Sequence, residues 1–298
     1  CAVTEYEKIH AMMLEKKQPL NVGSKSRPRL AFVSPLPPEK TGIADYSTSL
    51  LSVLACYYDI HVIVEQKKVD SAIKAKFPVH DAAWFMKHSK EFDRIVYQFG
   101  NSPFHQYMLF LLKKAPGIVV LHDFFLSELF AWDTAKDESA WLQTLYQAHG
   151  YLALNCHLAQ KNIKKKYPLN LSVLQQAQGI IVHSEHARQL ANQWFPKNKT
   201  AHWAVIPHFA APQSAPVNRI QSRAFLGLEM NELVICSFGF IAPTKLHQQI
   251  IEAWSHSTLA RNKTCKLIFV GENHGGNYGS NLLQMIKQSP NAENILIT

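Results

Sequence analysis

The sequence has few cysteines and no pattern typical of a disulfide scaffold or a metal site. Its 298 residues include five cysteines, and none of them forms a C-x-x-C pair. Sparse, unpaired thiols are typical of proteins in a reducing compartment, and they argue against a disulfide framework or a zinc ribbon. We therefore expect a cytoplasmic protein that depends on a hydrophobic core for its stability.

Long apolar runs are also absent. No stretch of 18 consecutive apolar residues occurs, so the sequence predicts no membrane-spanning helix. The N-terminal residues lack the apolar centre of a secretory signal. Because the chain begins without methionine, we expect it to be a piece of a longer protein.

Two common nucleotide-binding fingerprints are missing. The sequence has neither G-x-G-x-x-G nor the G-K-[ST] end of a Walker loop, which disfavours an NAD-dependent oxidoreductase. The net charge of +9 nevertheless favours anionic partners. Because no arginine-rich tract or aromatic–basic motif is present, phosphorylated small molecules or an anionic membrane surface rank above nucleic acid.

What the sequence does have is a regular alternation of apolar β-type runs with helical stretches, from Arg29 onward. Hydrophobic residues make up 47% of the chain, enough for a sizeable core. Several of the β-type runs are continuously apolar, as in strands that are covered on both faces. The alternation predicts an α/β fold with doubly wound parallel sheets.

A proline-rich stretch, PHFAAPQSAPVN, divides the alternation into two parts. We predict an N-terminal helix and linker over residues 1–28, a first Rossmann-like domain over 29–208, an interdomain linker over 209–218 and a second Rossmann-like domain over 219–298. The second part contains three predicted strands. This is about half of a Rossmann-like domain, so we expect the second domain to be incomplete.

Ligands of open α/β sheets bind beyond the carboxyl ends of the strands, and two candidate sites of the first domain lie there. Thr41-Gly42 precedes a helix whose N-terminus is either an anion site or the end of a plain turn. His122 and Asp123 follow an apolar strand, where the histidine can donate to a sugar hydroxyl or a phosphate oxygen and the aspartate can orient it. A hydrogen-bonded strand-end pair or a metal-dependent hydrolase remains an alternative.

Two further strand ends carry candidate residues. Ser184 ends the predicted strand GIIVHS; it either caps the next helix or, like His183 beside it, faces a cleft. Gly239 ends the predicted strand ELVICSFG and permits close approach of a ligand, and Lys245 lies near the next helix start, where its ammonium could meet a diphosphate. A solvated surface lysine is the alternative.

Taken in order, these stretches resemble the retaining glycosyltransferases of the family-4 type, which have the GT-B fold of two Rossmann-like domains. The segments that carry the resemblance are SPLPPEKTGIADYSTSLLSVL, VLHD, IVHSEHARQL, VIPH, SFGFIAPTKLHQQIIEAW and LIFVGE. The resemblance implies transfer of a sugar from a nucleoside-diphosphate donor with retention of configuration, without a metal or other cofactor. The leaving diphosphate would be neutralised by helix amides and basic side chains.

The resemblance also implies roles for individual residues. The Gly42 amide, Gly239 and Lys245 would bind the donor diphosphate, and His122, with Asp123 beside it, would contact the transferred sugar. The acceptor side would be shaped by three residues, Asp45, Tyr46 and Ser184. The implied acceptor is a saccharide or a lipid-linked saccharide, as in polysaccharide or glycolipid assembly.

The sequence departs from the family pattern at two points. Phe240 occupies the position where many members have an arginine, so one bidentate diphosphate ligand is lost. The carboxylate pair E-x7-E of the family would lie beyond Thr298, so we expect little or no transferase activity from residues 1–298 alone. These departures favour an alternative, a non-catalytic nucleotide- or sugar-binding module. A GT-B epimerase or phosphorylase is a third reading.

The lysine-rich segment KNIKKKYP, residues 161–168, could contact an anionic membrane face that presents a lipid-linked acceptor. The simpler reading is a solvated helix end.

Overall fold

The computed structural model describes residues 27–159, 162–196, 202–209, 218–273 and 275–298. The chain divides into two compact units, Cys1–Pro212 and Gln213–Thr298. Almost all of the predicted N-terminal helix and linker lies outside the described residues, as do residues 210–217 of the predicted interdomain linker.

The first unit is built on a parallel sheet of seven strands in the order β3-β2-β1-β4-β5-β6-β7. The strands are β1 (Arg29–Val33), β2 (Asp59–Val64), β3 (Val79–Asp81), β4 (Arg94–Phe99), β5 (Ile118–Leu121), β6 (Gly179–Val182) and β7 (His202–Val205). The chain begins in the middle of the sheet, moves to one edge and then returns to build the other. The carboxyl ends of β1 and β4 therefore lie side by side, at the point of the sheet where the direction of winding reverses.

Helices connect these strands. They are α1 (Gly42–Leu54), α2 (Ser71–Lys74), α3 (Ala82–His88), α4 (Gln106–Lys114), α5 (Ser127–Asp133), α6 (Glu138–Leu158), α7 (Ile163–Lys166), α8 (Leu171–Gln176) and α9 (Glu185–Trp194). The segment between β5 and α8 contains three of these helices, α5, α6 and α7. The longest of these, α6, is broken at Gly150, whose φ of 66° is not helical.

Both faces of the sheet of the first unit carry buried apolar side chains. Along β1, Ala31 and Val33 pack into one core cluster, while Leu30 and Phe32 pack into the other. Successive side chains of a strand point to opposite faces, so burial of both faces requires a continuous apolar run. This explains why the strand reads LAFV rather than as an alternating pattern.

The second unit has a three-stranded parallel sheet in the order β10-β9-β8. Its strands are β8 (Leu233–Phe238), β9 (Cys265–Val270) and β10 (Ile295–Ile297), and its helices are α10 (Arg219–Phe225), α11 (His247–His256) and α12 (Gly276–Gln288). Phe269 of β9 is fully buried against Ile251 and Trp254 of α11 and Leu282 of α12. The predicted α/β class with parallel sheets is thus confirmed for both units.

Candidate functional site

The loop between β1 and α1 is held by buried polar contacts. Ser34 and Ser47 share a hydrogen bond of 2.7 Å between their hydroxyl oxygens. The side-chain amide of Gln66 makes two hydrogen bonds to the backbone of Leu36: it accepts from the N–H at 2.8 Å and donates to the carbonyl at 2.6 Å. These contacts fix the exit of β1 and the start of α1 relative to the sheet.

Gly42 is the first residue of α1, directly after the N-cap residue Thr41, whose Oγ1 accepts from the Ile43 N–H at 3.4 Å. A β-carbon added to Gly42 would meet no atom within 4 Å, and the residue has no left-handed φ. The fold therefore gives no steric or conformational reason for glycine at this position. A bare backbone here leaves the first-turn amides of α1 open to a ligand.

Four aromatic rings converge beyond the carboxyl ends of β5, β6 and β7. The ring centroid of Tyr46, on α1, lies 4.8 Å from that of His122, 5.5 Å from that of His183 and 4.6 Å from that of His208. The three imidazole centroids lie 4.9–6.3 Å from one another. We call these four residues the strand-end ring cluster. Sequence reasoning missed His208, because no local spacing joins it to His122, and it considered His183 only as an alternative to Ser184.

Two of the imidazoles in the strand-end ring cluster are tied to the sheet by hydrogen bonds. The Nε2 of His122 lies 2.8 Å from the side-chain oxygen of Gln98, on the neighbouring strand β4. The Nδ1 of His183 donates to the carbonyl of Ile206 at 2.9 Å, and its buried Nε2 has no partner among the described residues. The two rings therefore carry their protons on opposite nitrogens when both are neutral.

Burial disfavours charge on three members of the strand-end ring cluster. Burial and, to a smaller extent, the nearby rings of His183, His208 and His105 lower the pKa of His122 to about 3. Burial also lowers the pKa of His183 and raises that of Tyr46. At neutral pH these three residues, Tyr46, His122 and His183, therefore offer neutral donors and acceptors rather than cationic ligands. Within the described ranges, no group of three or more His, Cys, Asp or Glu side chains is arranged to hold a metal ion.

Asp123 has a different partner from the one that its position beside His122 indicated. Its Oδ2 accepts from the backbone N–H of Asn101 at 2.8 Å. Asn101 in turn accepts from two amides at the start of α5, so the carboxylate braces the end of β4. It is Gln98, rather than Asp123, that is hydrogen-bonded to the His122 ring.

The remaining residues predicted for the acceptor side are exposed. Asp45 lies in the first turn of α1, one residue before Tyr46. Ser184 is the N-cap residue of α9, but its side chain makes no capping hydrogen bond. The Ser184 hydroxyl therefore does not cap α9, although the sequence allows that role. Ser184 directly follows His183 at the end of β6.

The second unit brings Gly239 and Lys245 together at the carboxyl end of β8. Gly239 has a φ of 116°, and a β-carbon built on it would lie 3.4 Å from Cε and 3.8 Å from Nζ of Lys245. Lys245 ends a short 3₁₀ turn, Pro243–Lys245, just before α11. The side chain of Phe240, which stands where the family pattern has arginine, is 42% exposed.

The lysine-rich segment predicted for membrane contact is partly engaged within the first unit. Lys164 forms an ion pair of 2.8 Å with Glu128, and Lys166 lies 3.4 Å from the Cys156 sulfur and over the Tyr167 ring. Lys161 lies outside the described residues. These contacts indicate that α7 packs on the first unit. In the part of the chain that the structure describes, no helix is both long and apolar enough to cross a bilayer.

Several solved glycosyltransferase structures resemble the chain. HepE from Anabaena, in complex with UDP and glucose, matches 91% of this chain and 69% of its own with a TM-score of 0.58 at 17% identity. A glycosyltransferase from Rickettsia africae matches 92% of this chain and 68% of its own with a TM-score of 0.56 at 10% identity. WaaG, a glycosyltransferase involved in lipopolysaccharide biosynthesis, matches 90% and 69% with a TM-score of 0.53 at 14% identity.

No protein-family model and no curated protein sequence matches the chain significantly. At the identities of the structural matches, the likeness establishes the fold alone. The parallel sheets of both units and these matches together identify a Rossmann-like GT-B fold, as the sequence resemblance predicted.

Proposed function

We propose that this protein is a retaining glycosyltransferase that moves a sugar from a nucleoside-diphosphate donor to a saccharide or lipid-linked acceptor. The observation that carries the proposal is the meeting of α1 with the end of β5. Tyr46, one helical turn after the open first turn at Gly42, contacts the His122 ring at 4.8 Å. Tyr46 thus links the first turn of α1, where a helix end can bind an anion, to the neutral hydrogen-bonding ring of His122. This arrangement suits a ligand that has a phosphate and a sugar.

The chemistry follows from where charge develops. As the bond between the anomeric carbon and the diphosphate oxygen breaks, its electron pair moves onto the diphosphate. The N-terminal amides of α1 would stabilise that growing negative charge. His122, kept neutral by burial, would hydrogen-bond the sugar without adding positive charge next to an anomeric centre that is itself becoming positive.

Phe240 supports a second candidate, a nucleotide- or sugar-binding module without turnover. The donor diphosphate loses a guanidinium there, and a lysine cannot copy its bidentate geometry. The two candidates differ in one observable result, because only the enzyme releases or transfers the sugar of a nucleoside-diphosphate donor.

The proposal is tested in two steps. A thermal-shift screen with UDP, GDP and ADP, and with their glucose conjugates, shows whether a nucleotide binds, because a ligand of the native state raises the melting temperature. The full-length protein is then assayed for sugar release and transfer, with the anomeric configuration read by proton NMR. Binding with no turnover would favour the binding module, and inversion would contradict the retaining mechanism. Absence of nucleotide binding would contradict the transferase.

A further inference from the structure

Gln98 is a polar side chain of β4 that is fully buried in the sheet, and it contacts a proposed sugar-binding residue. Its exposed fraction is 0%, and its side-chain oxygen lies 2.8 Å from Nε2 of His122. The register of the sheet creates this contact: Gln98 pairs with Val120 on β5, and His122 follows two residues later on the same side of the strand.

The contact determines which nitrogen of His122 carries the proton. A carboxamide oxygen has no hydrogen and can only accept, so Nε2 of His122 must donate. Burial lowers the pKa of His122 to about 3, so at neutral pH the ring has a single proton. With that proton on Nε2, the Nδ1 atom presents a lone pair.

The surroundings of Gln98 argue that its amide is retained for this purpose. Its Nε2 is buried without a hydrogen-bond partner among the described residues. The side chain lines a cavity of about 370 Å³ together with apolar residues that include Val96, Val120 and Ile181. In these apolar surroundings, the polar contact that distinguishes the Gln98 carboxamide is the one with His122.

We propose that Gln98 is a positioning residue that holds His122 in the Nε2–H tautomer and so makes Nδ1 a hydrogen-bond acceptor selective for a ligand hydroxyl. A phosphate or carboxylate oxygen has no proton to give and would face a lone pair. The sequence left open whether His122 meets a sugar hydroxyl or a phosphate oxygen, and this arrangement selects the hydroxyl. The ligand identity rests on the proposed function, whereas the tautomer does not.

The tautomer is measured directly on the 298-residue chain labelled with ¹⁵N-histidine. Long-range ¹H–¹⁵N correlation spectra at pH 7 distinguish the two neutral tautomers, and the His122→Asn variant assigns the His122 signals. We expect the Nε2–H tautomer in the unaltered protein. The Nδ1–H tautomer would overturn the proposal, since it would mean that the Gln98 amide donates to the ring.

Variants of Gln98 test the positioning role. In Gln98→Met, which keeps the side-chain length, we expect the His122 signals to shift toward a mixture of tautomers. In Gln98→Glu, a carboxylate beside the ring should raise the pKa of His122. Gln175→Met, at an exposed glutamine of α8, is the control and should leave the His122 signals unchanged. Unchanged tautomer and pKa in both Gln98 variants would overturn the proposal; if one variant fails to fold, the other and the unaltered protein still decide.

A binding measurement separates this inference from the proposed function. Gln98→Met should weaken binding of the nucleotide sugar that the screen identifies by about three- to tenfold, the value of one hydrogen bond. UDP, GDP or ADP without sugar should bind within twofold of the unaltered protein. Equal weakening of both would overturn the selectivity for a sugar hydroxyl. If no nucleotide sugar binds at all, the proposed function fails while the tautomer result stands.

Discussion

The side chain of Lys245 lies across the backbone of Gly239. A β-carbon on Gly239 would stand 3.4 Å from Cε and 3.8 Å from Nζ of the lysine. The end of the neighbouring strand β9 also lies close to Gly239, because a β-carbon on Gly271 would overlap the carbonyl of Gly239. Because Gly239 and Gly271 have no side chains, the ends of β8 and β9 lie close together near the Lys245 ammonium. From the sequence alone, the position of this ammonium followed only from the family resemblance.

Replacing Lys245 with methionine should reduce the affinity for a nucleoside diphosphate by about ten- to a hundredfold, since a charged hydrogen bond contributes about 1.5–3 kcal/mol. The melting temperature should change little, because the lysine is exposed. Titration calorimetry with UDP measures the first effect and a thermal scan the second. Lys287→Met, at an exposed lysine of α12, is the matched control. Equal affinities of the Lys245 and Lys287 variants would mean that Lys245 is an ordinary surface lysine.

Two glycines of the first unit should respond oppositely to a side chain. Gly42→Val should weaken binding of a diphosphate while leaving the free energy of unfolding within about 1 kcal/mol, because the added carbons enter open space. Gly100→Ala should lower stability, because its β-carbon would collide with Ile43 Cδ1 and lie 2.8 Å from His105 Nε2. Urea unfolding and calorimetry with UDP measure the two quantities. If Gly42→Val lowers stability as much as it lowers affinity, Gly42 is a structural turn.

Ser184 should be dispensable for the stability of α9. Its side chain makes no capping hydrogen bond, so Ser184→Ala should change the free energy of unfolding by less than about 0.5 kcal/mol. Asp81 is the contrasting cap, because its Oδ1 accepts from the Trp84 N–H at 2.7 Å, and Asp81→Ala should cost about 1 kcal/mol. Chemical denaturation compares the two variants. A similar loss in both would show that Ser184 caps α9 in solution.

The strands that the sequence predicts are those with apolar runs, and the structure confirms them with ends that differ by at most two residues. The strand that sequence reasoning missed is β3, which consists of Val79, His80 and Asp81. Three residues, two of them polar, give no period-two pattern, and this strand forms because it pairs with β2 at the sheet edge. Its position depends on tertiary pairing rather than on its own side chains.

The candidate site was predictable only in part, for a related reason. Gly42, His122, Gly239 and Lys245 each follow or precede a strand or helix end that local patterns reveal. Gln98 lies inside an apolar strand, where its only signal is a polar residue between two aromatic ones in RIVYQF. Its relation to His122 depends on the register between β4 and β5, which no local pattern specifies.

The acid stability of the first unit should depend on two histidines near the proposed site. Burial lowers the pKa of His105 to about 4 and that of His122 to about 3. Below pH 6.5 the unfolded chain therefore binds protons that the folded chain does not, so stability is lost as the pH falls. The loss should continue down to about pH 4 for His105 and about pH 3 for His122, at about 1.4 kcal/mol per pH unit for each ring.

Urea unfolding at pH 7, 6 and 5 measures this slope. His105→Asn should reduce this slope of the unfolding free energy by about 1.4 kcal/mol per pH unit. The variant lacks the ring that takes up a proton in the unfolded chain but stays neutral in the folded one. His256→Gln, at an exposed histidine of α11, should leave the slope close to that of the unaltered protein. An unchanged slope in His105→Asn would show that His105 is protonated in the folded protein. The backbone of Gln98, whose hydrogen bond raises the pKa of His105, would then be the partner that holds the charged ring.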